Sequence, residues 1–364
     1  MLVDIETANP PFKVSQNNAA LELKKRMAVR PAIERMIDAA AYHSGIENRY
    51  FVVPDADENN SDKFYSSEGK YIRPSTKNRM EEYENWSQKL TMEAVKKLLD
   101  KNNFDPSKIN RLITISCTGF FAPGLDYFLI NKFNIPVSVK RTNIGFMGCA
   151  ASLIGLNSVL EATKSSNELP INVLVVSVEL CSLHLQTEAT RDNILANIIF
   201  ADGAAAALFS NSPIYKETQG FELLSLDSII FENSSEFMGW KIGNFGFEMI
   251  LSSDIPKIIL NNAVPELKRI LYTHGLAPEQ VKHWALHPGG RAILDSLQLG
   301  LGLTEAEMRP SLNILKNYGN MSSASILFVL KEIISTNTII KNDYCCAVAF
   351  GPGLSMEVAL FKGN

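Results

Sequence analysis

Apolar runs that alternate with helical stretches from residue 111 onward constrain the fold more than any other feature of this sequence. Near-continuous apolar strands are typical of sheets covered on both faces, so the alternation predicts an α/β protein. In this part of the chain the pattern predicts helices over 124–134 and 148–164, and strands over 111–118, 137–144, 171–179 and 203–210.

The rest of the chain shows the same alternation only in its last third. Strands are predicted over 281–287, 343–350 and 354–361, and helices over 290–299 and 321–335. Residues 1–110 instead hold polar helical segments, among them a predicted helix over 78–102.

Two segments suggest an internal duplication. The segment 201–210 (ADGAAAALFS) ends the first half with a glycine turn and a small-residue strand, and 351–361 (GPGLSMEVALF) ends the second half in the same way. We therefore predict two halves of like topology, residues 1–219 and residues 220–364.

Charge and cysteine content exclude several classes of function. The net charge of −4 gives no indication of nucleic-acid binding, because such proteins usually carry a basic stripe. None of the five cysteines forms a CxxC pair, which argues against a zinc site. Their odd number and irregular spacing fit free thiols in a reducing compartment, so we expect a cytoplasmic protein.

One uncharged stretch approaches the length of a membrane span. Residues 142–160 run for 19 residues without a charge, but glycines, asparagines and serines interrupt them. We interpret this stretch as a turn and a buried helix, and we expect no membrane span. The first residues contain Asp4 and Glu6 and do not resemble a secretory signal.

The segment RTNIGFMGCAASLIGL (141–156) places Cys149 between a predicted strand and a predicted helix. Gly145 and Gly148 permit a tight turn there, and a thiol at a helix start meets the positive end of the helix dipole. We expect this position to lower the pKa of Cys149 and to make it a nucleophile. The alternative is an inert buried thiol, since free cysteine is among the most buried residue types.

A cysteine nucleophile needs a base, and acyl chemistry needs donors for an oxyanion. His287 ends an apolar run and precedes Pro288-Gly289-Gly290, which suits a side chain that faces a cleft. Asn320 follows Gly319 at a predicted helix start. Its amide either caps that helix or reaches a substrate carbonyl, and the residues alone leave both roles open.

Four motifs in order resemble the landmarks of type III polyketide synthases, the chalcone and stilbene synthase family. They are GFMGCAASLIGL, LHPGGRAILD, NYGNMSSAS and AFGPGLSMEVALF. The resemblance runs from residue 5 to the C-terminus. Ketoacyl synthase III shares a Cys-His-Asn set, but that family typically shows HQAN and NTSAAS where this chain has HPGG and NMSSAS. The resemblance implies a thiolase fold, a five-layered αβαβα core of two similar halves, and a homodimer.

The resemblance also implies roles for site residues. It makes Cys149 the nucleophile and His287 and Asn320 its partners, and it places gatekeeper phenylalanines at Phe200 and Phe247, for which core packing is the alternative. The implied enzyme is an acyltransferase. It loads an acyl starter from CoA or an acyl carrier protein, extends it with malonyl-CoA by iterative decarboxylative condensation, and cyclises the product. No metal or bound organic cofactor is implied.

Several positions depart from the plant members of the family. Cys117, Cys181 and His184 stand where plant enzymes carry threonine, and Trp240 lies in the region of a cavity glycine. These changes resemble microbial members and leave the starter open, with alkylresorcinol, acylphloroglucinol and pyrone products as candidates. No motif identifies the residues that bind CoA, for which the candidates are Lys24, Lys25, Arg26, Arg30 and Arg35.

The amino-acid sequence alone leaves other interpretations open. The asparagine-rich chain, which starts close to the first motif, also fits the C-terminal domain of a steely hybrid, with fused fatty-acid synthase modules as partners. A ketoacyl synthase III-like enzyme of single condensation, a cysteine thioesterase or hydrolase, and a catalytically silent paralogue are the alternatives.

Overall fold

A computed structural model describes residues 1–27, 30–56, 63–67, 70–164, 170–215, 220–336 and 338–364. Within these residues, fifteen strands and eleven α-helices follow one another along the chain. The strands are β1 (Leu2–Ala8), β2 (Phe12–Ser15), β3 (Asn48–Phe51), β4 (Ser66–Ser67), β5 (Lys70–Tyr71), β6 (Arg111–Ser116), β7 (Lys140–Gly145), β8 (Asn172–Leu180), β9 (Asp202–Ser210), β10 (Phe221–Ile230), β11 (Met238–Gly243), β12 (Gly246–Leu251), β13 (Val281–Leu286), β14 (Tyr344–Gly351) and β15 (Ser355–Gly363).

Helices connect these strands and cover the sheet. The α-helices are α1 (Gln16–Met27), α2 (Pro31–His43), α3 (Thr76–Lys101), α4 (Leu125–Phe133), α5 (Ala151–Lys164), α6 (Arg191–Ile199), α7 (Ile255–Ile258), α8 (Val264–Thr273), α9 (Arg291–Leu301), α10 (Glu305–Tyr318) and α11 (Ser325–Ser335). Short 3₁₀ turns at Gly148–Ala150 and Ser322–Ala324 lead directly into α5 and α11.

Nine strands form one sheet in the order β13-β14-β15-β10-β1-β9-β8-β6-β7. In the series β6-β8-β9-β1, the first two strands are parallel and each later strand is antiparallel to the one before it. The series β13-β14-β15-β10 has the same pattern of parallel and antiparallel pairs. The two series meet through the pairing of β1 with β10. The repeated order confirms the duplicated α/β fold that the sequence suggests.

The boundary that we place between residues 219 and 220 stays a prediction. Residue 219 lies outside the described residues, and β10, the first strand of the second series, begins at Phe221.

The helices are arranged in layers around the two series of strands. Helix α3 packs on β1, β8 and β9, outside the first series. Helices α5 and α11 contact strands of both series and form the middle layer. Apolar residues of α8 and α9 pack with Trp284 of β13 and Val358 of β15, outside the second series. These layers give the five-layered arrangement that the resemblance implies.

Most predicted elements of the second and last thirds of the chain are present. The predicted strand over 137–144 begins later, at Lys140, and is largely exposed because it lies at the edge of the sheet. The stretch 142–160 is the end of this strand followed by a turn and α5, and no helix among the described residues is long and apolar enough to cross a membrane. The prediction of helical segments alone for residues 1–110 is wrong, because β1 pairs with β9 inside the central sheet.

Two leucines on α9 offer a matched test of the outer layer. Leu297 is fully buried among the apolar residues of α8, α9 and β13, whereas Leu299 is 73% exposed. We expect Leu297→Ala to destabilise the protein by about 2–5 kcal/mol, because it removes buried methyl groups and leaves a cavity. Leu299→Ala is expected to change the stability by no more than about 0.5 kcal/mol. Equal shifts of the unfolding midpoint in urea for the two variants would contradict this packing.

Candidate active site

Cys149 lies at the junction of β7 and α5, as the sequence predicts. The chain leaves β7 at Gly145 and forms the 3₁₀ turn Gly148–Ala150 directly before α5. Gly148 has φ +63°, and a Cβ at this position would lie 2.3 Å from Cδ of Pro352. Only glycine therefore fits the turn that presents the thiol.

His287 follows directly after β13, at the carboxyl end of that strand. Its backbone N–H donates to the carbonyl oxygen of Val348 at 2.8 Å, which continues the pairing with β14. The imidazole is 2% exposed, and neither ring nitrogen has a hydrogen-bond partner among the described residues. Since buried side-chain nitrogens are usually paired, this ring is suited to hydrogen-bond a group that enters the site.

Asn320 combines the two roles that the sequence leaves open. Its Oδ1 accepts a hydrogen bond from the backbone N–H of Ser322 at 2.8 Å, as a capping side chain does. The same Oδ1 lies 4.0 Å from Sγ of Cys149, and Nδ2 donates to the carbonyl oxygen of Gly289 at 3.2 Å. These contacts fix the amide beside the thiol and leave its second N–H available.

Cys149, His287 and Asn320 line one cavity, which we call the histidine cavity. Its volume is about 10 Å³, which is room for about one water molecule. The other walls are almost entirely apolar and are formed by Phe200, Met238, Met249, Leu251, Gly289, Ile293 and Phe350. The three polar groups that the sequence singles out thus meet in apolar surroundings.

The expectation that the helix start lowers the pKa of Cys149 is wrong for the thiol by itself. Burial removes the hydration that a thiolate needs and raises the pKa of Cys149 to about 12, although side-chain hydrogen bonding with Ser322 and Asn320 acts in the opposite direction. Burial likewise lowers the pKa of His287 to about 3. A lone charge on either group is unfavourable, whereas proton transfer from Sγ to the imidazole creates two opposite charges that stabilise each other.

A second cavity next to Cys149, which we call the thiol cavity, has a volume of about 30 Å³. Four of the pocket residues named from the sequence line it, namely Cys117, Cys181, Phe200 and Trp240. Trp240 Nε1 donates to the carbonyl oxygen of Cys117 at 2.7 Å, which holds the indole as a wall. The cavity is therefore small because large side chains occupy the space beside the thiol.

A third cavity of about 80 Å³, the distal chamber, lies behind the walls of the thiol cavity. The two cavities share Cys181, Phe200, Trp240 and Met249. Its other lining residues include Glu22, Arg26, Arg49, Asp55, Tyr65, His184, Gln186, Ala196, Asn197 and Phe247.

His184 and Phe247 line the distal chamber and neither of the cavities that contain Cys149. The His184 ring accepts a hydrogen bond from the Phe247 N–H at 2.9 Å through Nδ1, and Nε2 donates to the carbonyl oxygen of Thr118 at 2.6 Å. Burial lowers the pKa of His184 to about 3, so the ring is neutral. The two rings stack at a centroid distance of 4.2 Å and stabilise a wall.

Met249 is the site residue that sequence reasoning missed most clearly, because it lines all three cavities. It lies on β12, two residues after Phe247 and thus on the same face of the strand. Because side chains alternate along a strand, the prediction of Phe247 as a pocket residue could have indicated Met249 as well. Ser322, which also lines the thiol cavity, was missed as well.

The basic residues proposed for CoA binding differ in whether their side chains are free to contact a ligand. Lys24 pairs with Asp38 at 2.5 Å, and Arg26 is buried beside Glu22 and Asp55. Arg30 and Arg35 are exposed at the start of α2. In the described part of the chain, no cluster of three His, Cys, Asp or Glu side chains is placed to hold a metal ion.

The layered fold and this Cys-His-Asn site define a condensing enzyme of the thiolase fold. Two family models match overlapping parts of the chain: "FAE1/Type III polyketide synthase-like protein" over residues 61–229 and "Chalcone and stilbene synthases, C-terminal domain" over residues 222–363. The chain belongs to the type III polyketide synthases, acyltransferase-class condensing enzymes.

Known proteins match the chain over nearly its whole length. A 1,3,6,8-tetrahydroxynaphthalene synthase of Streptomyces peucetius subsp. caesius is 26% identical over 98% of this chain and 92% of its own length. A putative chalcone synthase of Bacillus subtilis (strain 168) is 29% identical over 99% of this chain and 98% of its own length. The crystal structure of PKS-I from the brown alga Ectocarpus siliculosus superposes with a TM-score of 0.91 at 27% identity, covering 100% of this chain and 98% of that one.

The coupling between Cys149 and His287 can be measured by alkylation. Without the imidazole, Cys149 keeps only the raised pKa of a buried thiol, so its reaction with iodoacetamide should be slow at pH 7 and should rise about tenfold per pH unit. We expect His287→Gln to alkylate Cys149 at least tenfold more slowly than the wild type at pH 7, and we expect the difference to shrink toward pH 10. Peptide mass spectrometry measures the rate at Cys149. Identical pH profiles for both proteins would show that His287 does not activate the thiol.

Proposed function

We propose that this protein loads an acyl starter on Cys149 and extends it with malonyl-CoA by iterative decarboxylative condensation before cyclisation. The observation that carries the proposal is the histidine cavity, in which a thiol, an imidazole and an amide line a space for about one water molecule. A nucleophile, a base and a second donor in water-poor surroundings are what acyl transfer and enolate formation both require.

In the loading step, His287 accepts the proton of Cys149 as Sγ attacks the starter thioester. Neither imidazole nitrogen is bound to the protein among the described residues, so the ring is free to take this proton and to turn toward a substrate oxygen. The leaving thiol of CoA, or of an acyl carrier protein, carries the proton away. Cys149 then holds the starter as a thioester.

In the extension step, the malonyl carboxylate leaves as CO₂ and an enolate forms. The imidazole N–H of His287 and the free amide N–H of Asn320 donate to the enolate oxygen, and loss of one such donor typically costs about 2.7–4 kcal/mol of barrier. Phe200 and Met249 surround this position and exclude water. We propose Met249 as a further water-excluding residue, because it lines the histidine cavity. The gatekeeper role of Phe247, which lines the distal chamber, stays a prediction.

The enolate carbon attacks the Cys149 thioester, so a carbon–carbon bond forms, the bond to Sγ breaks, and the extended chain is left as a thioester of CoA. Transfer of that chain back to Cys149, with release of the CoA thiol, lets the cycle repeat. The thiol cavity receives the chain. Its small volume and the Trp240 wall favour a short starter over the bulky ring system of a plant starter. Alkylresorcinol, acylphloroglucinol and pyrone products are all compatible with this chemistry.

We propose a homodimer that forms along β7. This strand ends the nine-stranded sheet and is largely exposed, so its outer backbone groups are free to pair with a second copy. Apolar side chains in the adjoining segments are also exposed, at Phe120, Tyr127, Val137 and Met147. A second copy would cover both the strand edge and these side chains.

Three further predictions rest on the sequence. The five free cysteines suit a reducing compartment, and we propose a cytoplasmic location. The two halves, residues 1–219 and 220–364, are proposed as separate thiolase-like units that contribute the thiol and the His-Asn pair respectively. An acyl carrier protein or fused fatty-acid synthase modules are proposed as starter donors.

Incubation with a panel of acyl-CoA starters and malonyl-CoA tests the proposed function. We expect malonyl-CoA consumption, CO₂ release and products that contain more than one malonyl-derived unit, with acylated Cys149 visible by mass spectrometry. Cys149→Ala should abolish product, and Asn320→Ala should lower turnover by about 10²–10³.

Other outcomes of this assay identify the alternatives. Products with a single malonyl-derived unit would indicate a ketoacyl synthase III-like enzyme. Free acid without malonyl-CoA consumption would indicate a thioesterase, and absence of acyl-Cys149 would indicate a silent paralogue.

The dimer is tested by light scattering after gel filtration. We expect the wild type at the mass of two chains. Tyr127→Glu combined with Val137→Glu should give one chain, because each glutamate would be buried without a partner in the interface. Leu299→Glu, at an exposed leucine on α9, is the control and should stay dimeric. A wild-type monomer, or a dimeric double variant, would contradict an interface along β7.

A further inference from the structure

Ser322 adopts a backbone conformation that is rare for serine. Its φ is +46°, in the left-handed region, where a residue with a Cβ is unfavourable. Among the described residues that are not glycine, the others with positive φ are Phe146 and four asparagines, and asparagine tolerates this region. Phe146 lies in the turn that precedes Cys149, so both unusual residues lie close to the thiol in the chain or in the fold. Backbone strain of this kind is concentrated at functional sites.

The turn places two polar groups of Ser322 beside the nucleophile. Its backbone N–H donates to Oδ1 of Asn320 at 2.8 Å, and Sγ of Cys149 lies 4.0 Å from the same oxygen. Its hydroxyl is hydrogen-bonded to Cys149 and to no other described residue. The side chain is 5% exposed and lines the thiol cavity together with Cys149. The hydroxyl of Ser322 is therefore a buried group that contacts the reacting sulfur atom.

The thiol and the thiolate of Cys149 need opposite kinds of hydrogen-bond partner. The thiol donates its S–H, and Oδ1 of Asn320 is an acceptor for it. Proton transfer breaks the S–H bond, leaves its electron pair on Sγ and forms an N–H bond on His287. The thiolate can only accept, so Oδ1 no longer offers it a hydrogen bond. In a water-poor cavity the new charge requires donors from the protein.

The other polar side chains of the thiol cavity already make hydrogen bonds elsewhere. Trp240 Nε1 donates to the carbonyl oxygen of Cys117 at 2.7 Å, and the thiol of Cys117 lies 3.5 Å from a backbone carbonyl oxygen to which it donates. The hydroxyl of Thr118 donates to a buried carboxylate at 2.8 Å. Cys181 offers a thiol, which is a weak donor. Ser322 is thus the hydroxyl of this cavity that can donate to Sγ.

We propose that Ser322 is a further catalytic residue, whose hydroxyl donates a hydrogen bond to the Cys149 thiolate that forms when His287 takes the proton. This inference rests on the loading step of the proposed function. The hydroxyl and the imidazolium face Sγ from two cavities, the thiol cavity and the histidine cavity. Because a hydrogen bond to an ionised acceptor is about twice as strong as one between neutral groups, the hydroxyl stabilises the thiolate more than the thiol.

Two substitutions remove the hydroxyl but differ in their effect on the backbone. Ser322→Gly suits the positive φ, whereas Ser322→Ala keeps the Cβ, and both keep the N–H that contacts Asn320. We expect both variants to react with iodoacetamide at Cys149 about tenfold more slowly than the wild type at pH 7, which corresponds to the loss of one hydrogen bond to a charged group. Their rate profiles should lie about one pH unit above the wild-type profile.

Ser325→Ala is the matched control. Ser325 is fully buried at the start of α11, accepts a hydrogen bond from the Met321 N–H at 2.7 Å, and lines none of the three cavities. We expect its alkylation profile to match that of the wild type, with thermal unfolding showing that every variant is folded. A wild-type profile in either Ser322 variant would overturn the proposal, because the loss of the hydroxyl is common to both.

Single-turnover kinetics separate this role from a structural one. Loading from an acyl-CoA uses the thiolate, so acylation of Cys149 should slow about tenfold in both Ser322 variants. Decarboxylation of malonyl-CoA takes place while Cys149 is still a thioester, so CO₂ release from the isolated acyl-enzyme should keep the wild-type rate. Equal losses in both steps would show that Ser322 acts only by positioning Asn320, and would contradict the proposal.

The alkylation profile does not depend on malonyl-CoA, so it also separates the two hypotheses. Slow alkylation of both Ser322 variants, in a protein whose wild type consumes no malonyl-CoA, would overturn the proposed function and leave the contact between Ser322 and the thiolate supported.

Discussion

The candidate active site depends on a backbone bridge between Phe200, which follows α6, and Asn320, which follows α10. Asn320 N–H donates to the carbonyl oxygen of Ile199 at 2.9 Å, and its carbonyl oxygen accepts from Ala201 N–H at 2.8 Å. Arg49 supports this bridge, because its Nη1 donates to the carbonyl oxygens of Asn197 and Phe200, each at 2.7 Å. One buried cation thus holds Phe200 and the bridge to Asn320 in place together.

The guanidinium group of Arg49 lies in an environment that disfavours charge. Burial lowers the pKa of Arg49 to about 9, and attraction to Asp202 acts in the opposite direction. Burial raises the pKa of Asp202 to about 6, while hydrogen bonds from Ser182 and Val52 stabilise its carboxylate. Attraction between the two opposite charges partly offsets the burial of each, and the carboxylate of Asp202 also accepts hydrogen bonds from Ser182 and Val52. The hydrogen bonds that Arg49 donates to Asn197 and Phe200 are therefore made by a cation whose charge is stabilised from a distance.

Sequence patterns predicted the parts of this site that local chemistry determines. Glycines around Cys149 and after His287 mark turns that follow apolar strands, and both residues lie where those signals place them. The Met249 wall and the distal chamber were not predictable in this way. They depend on how β12 packs against α6 and on residues of α1 that line the same chamber, and both helices are distant from β12 in sequence. The same limitation produced the wrong expectation for the Cys149 pKa, since Phe350, Ile293 and Leu251 desolvate the cavity from other parts of the chain.

The desolvation that disfavours an isolated thiolate also favours the proposed extension step. Decarboxylation converts a localised carboxylate into neutral CO₂ and a delocalised enolate, so an apolar cavity destabilises the starting anion more than the developing one. The neutral imidazole of His287 and the amide of Asn320 then offer donors only where the enolate oxygen forms. Interactions that strengthen as the reaction proceeds accelerate it, whereas equal stabilisation of both anions would not. A buried site that keeps Cys149 and His287 uncharged until substrate arrives is therefore consistent with repeated condensation.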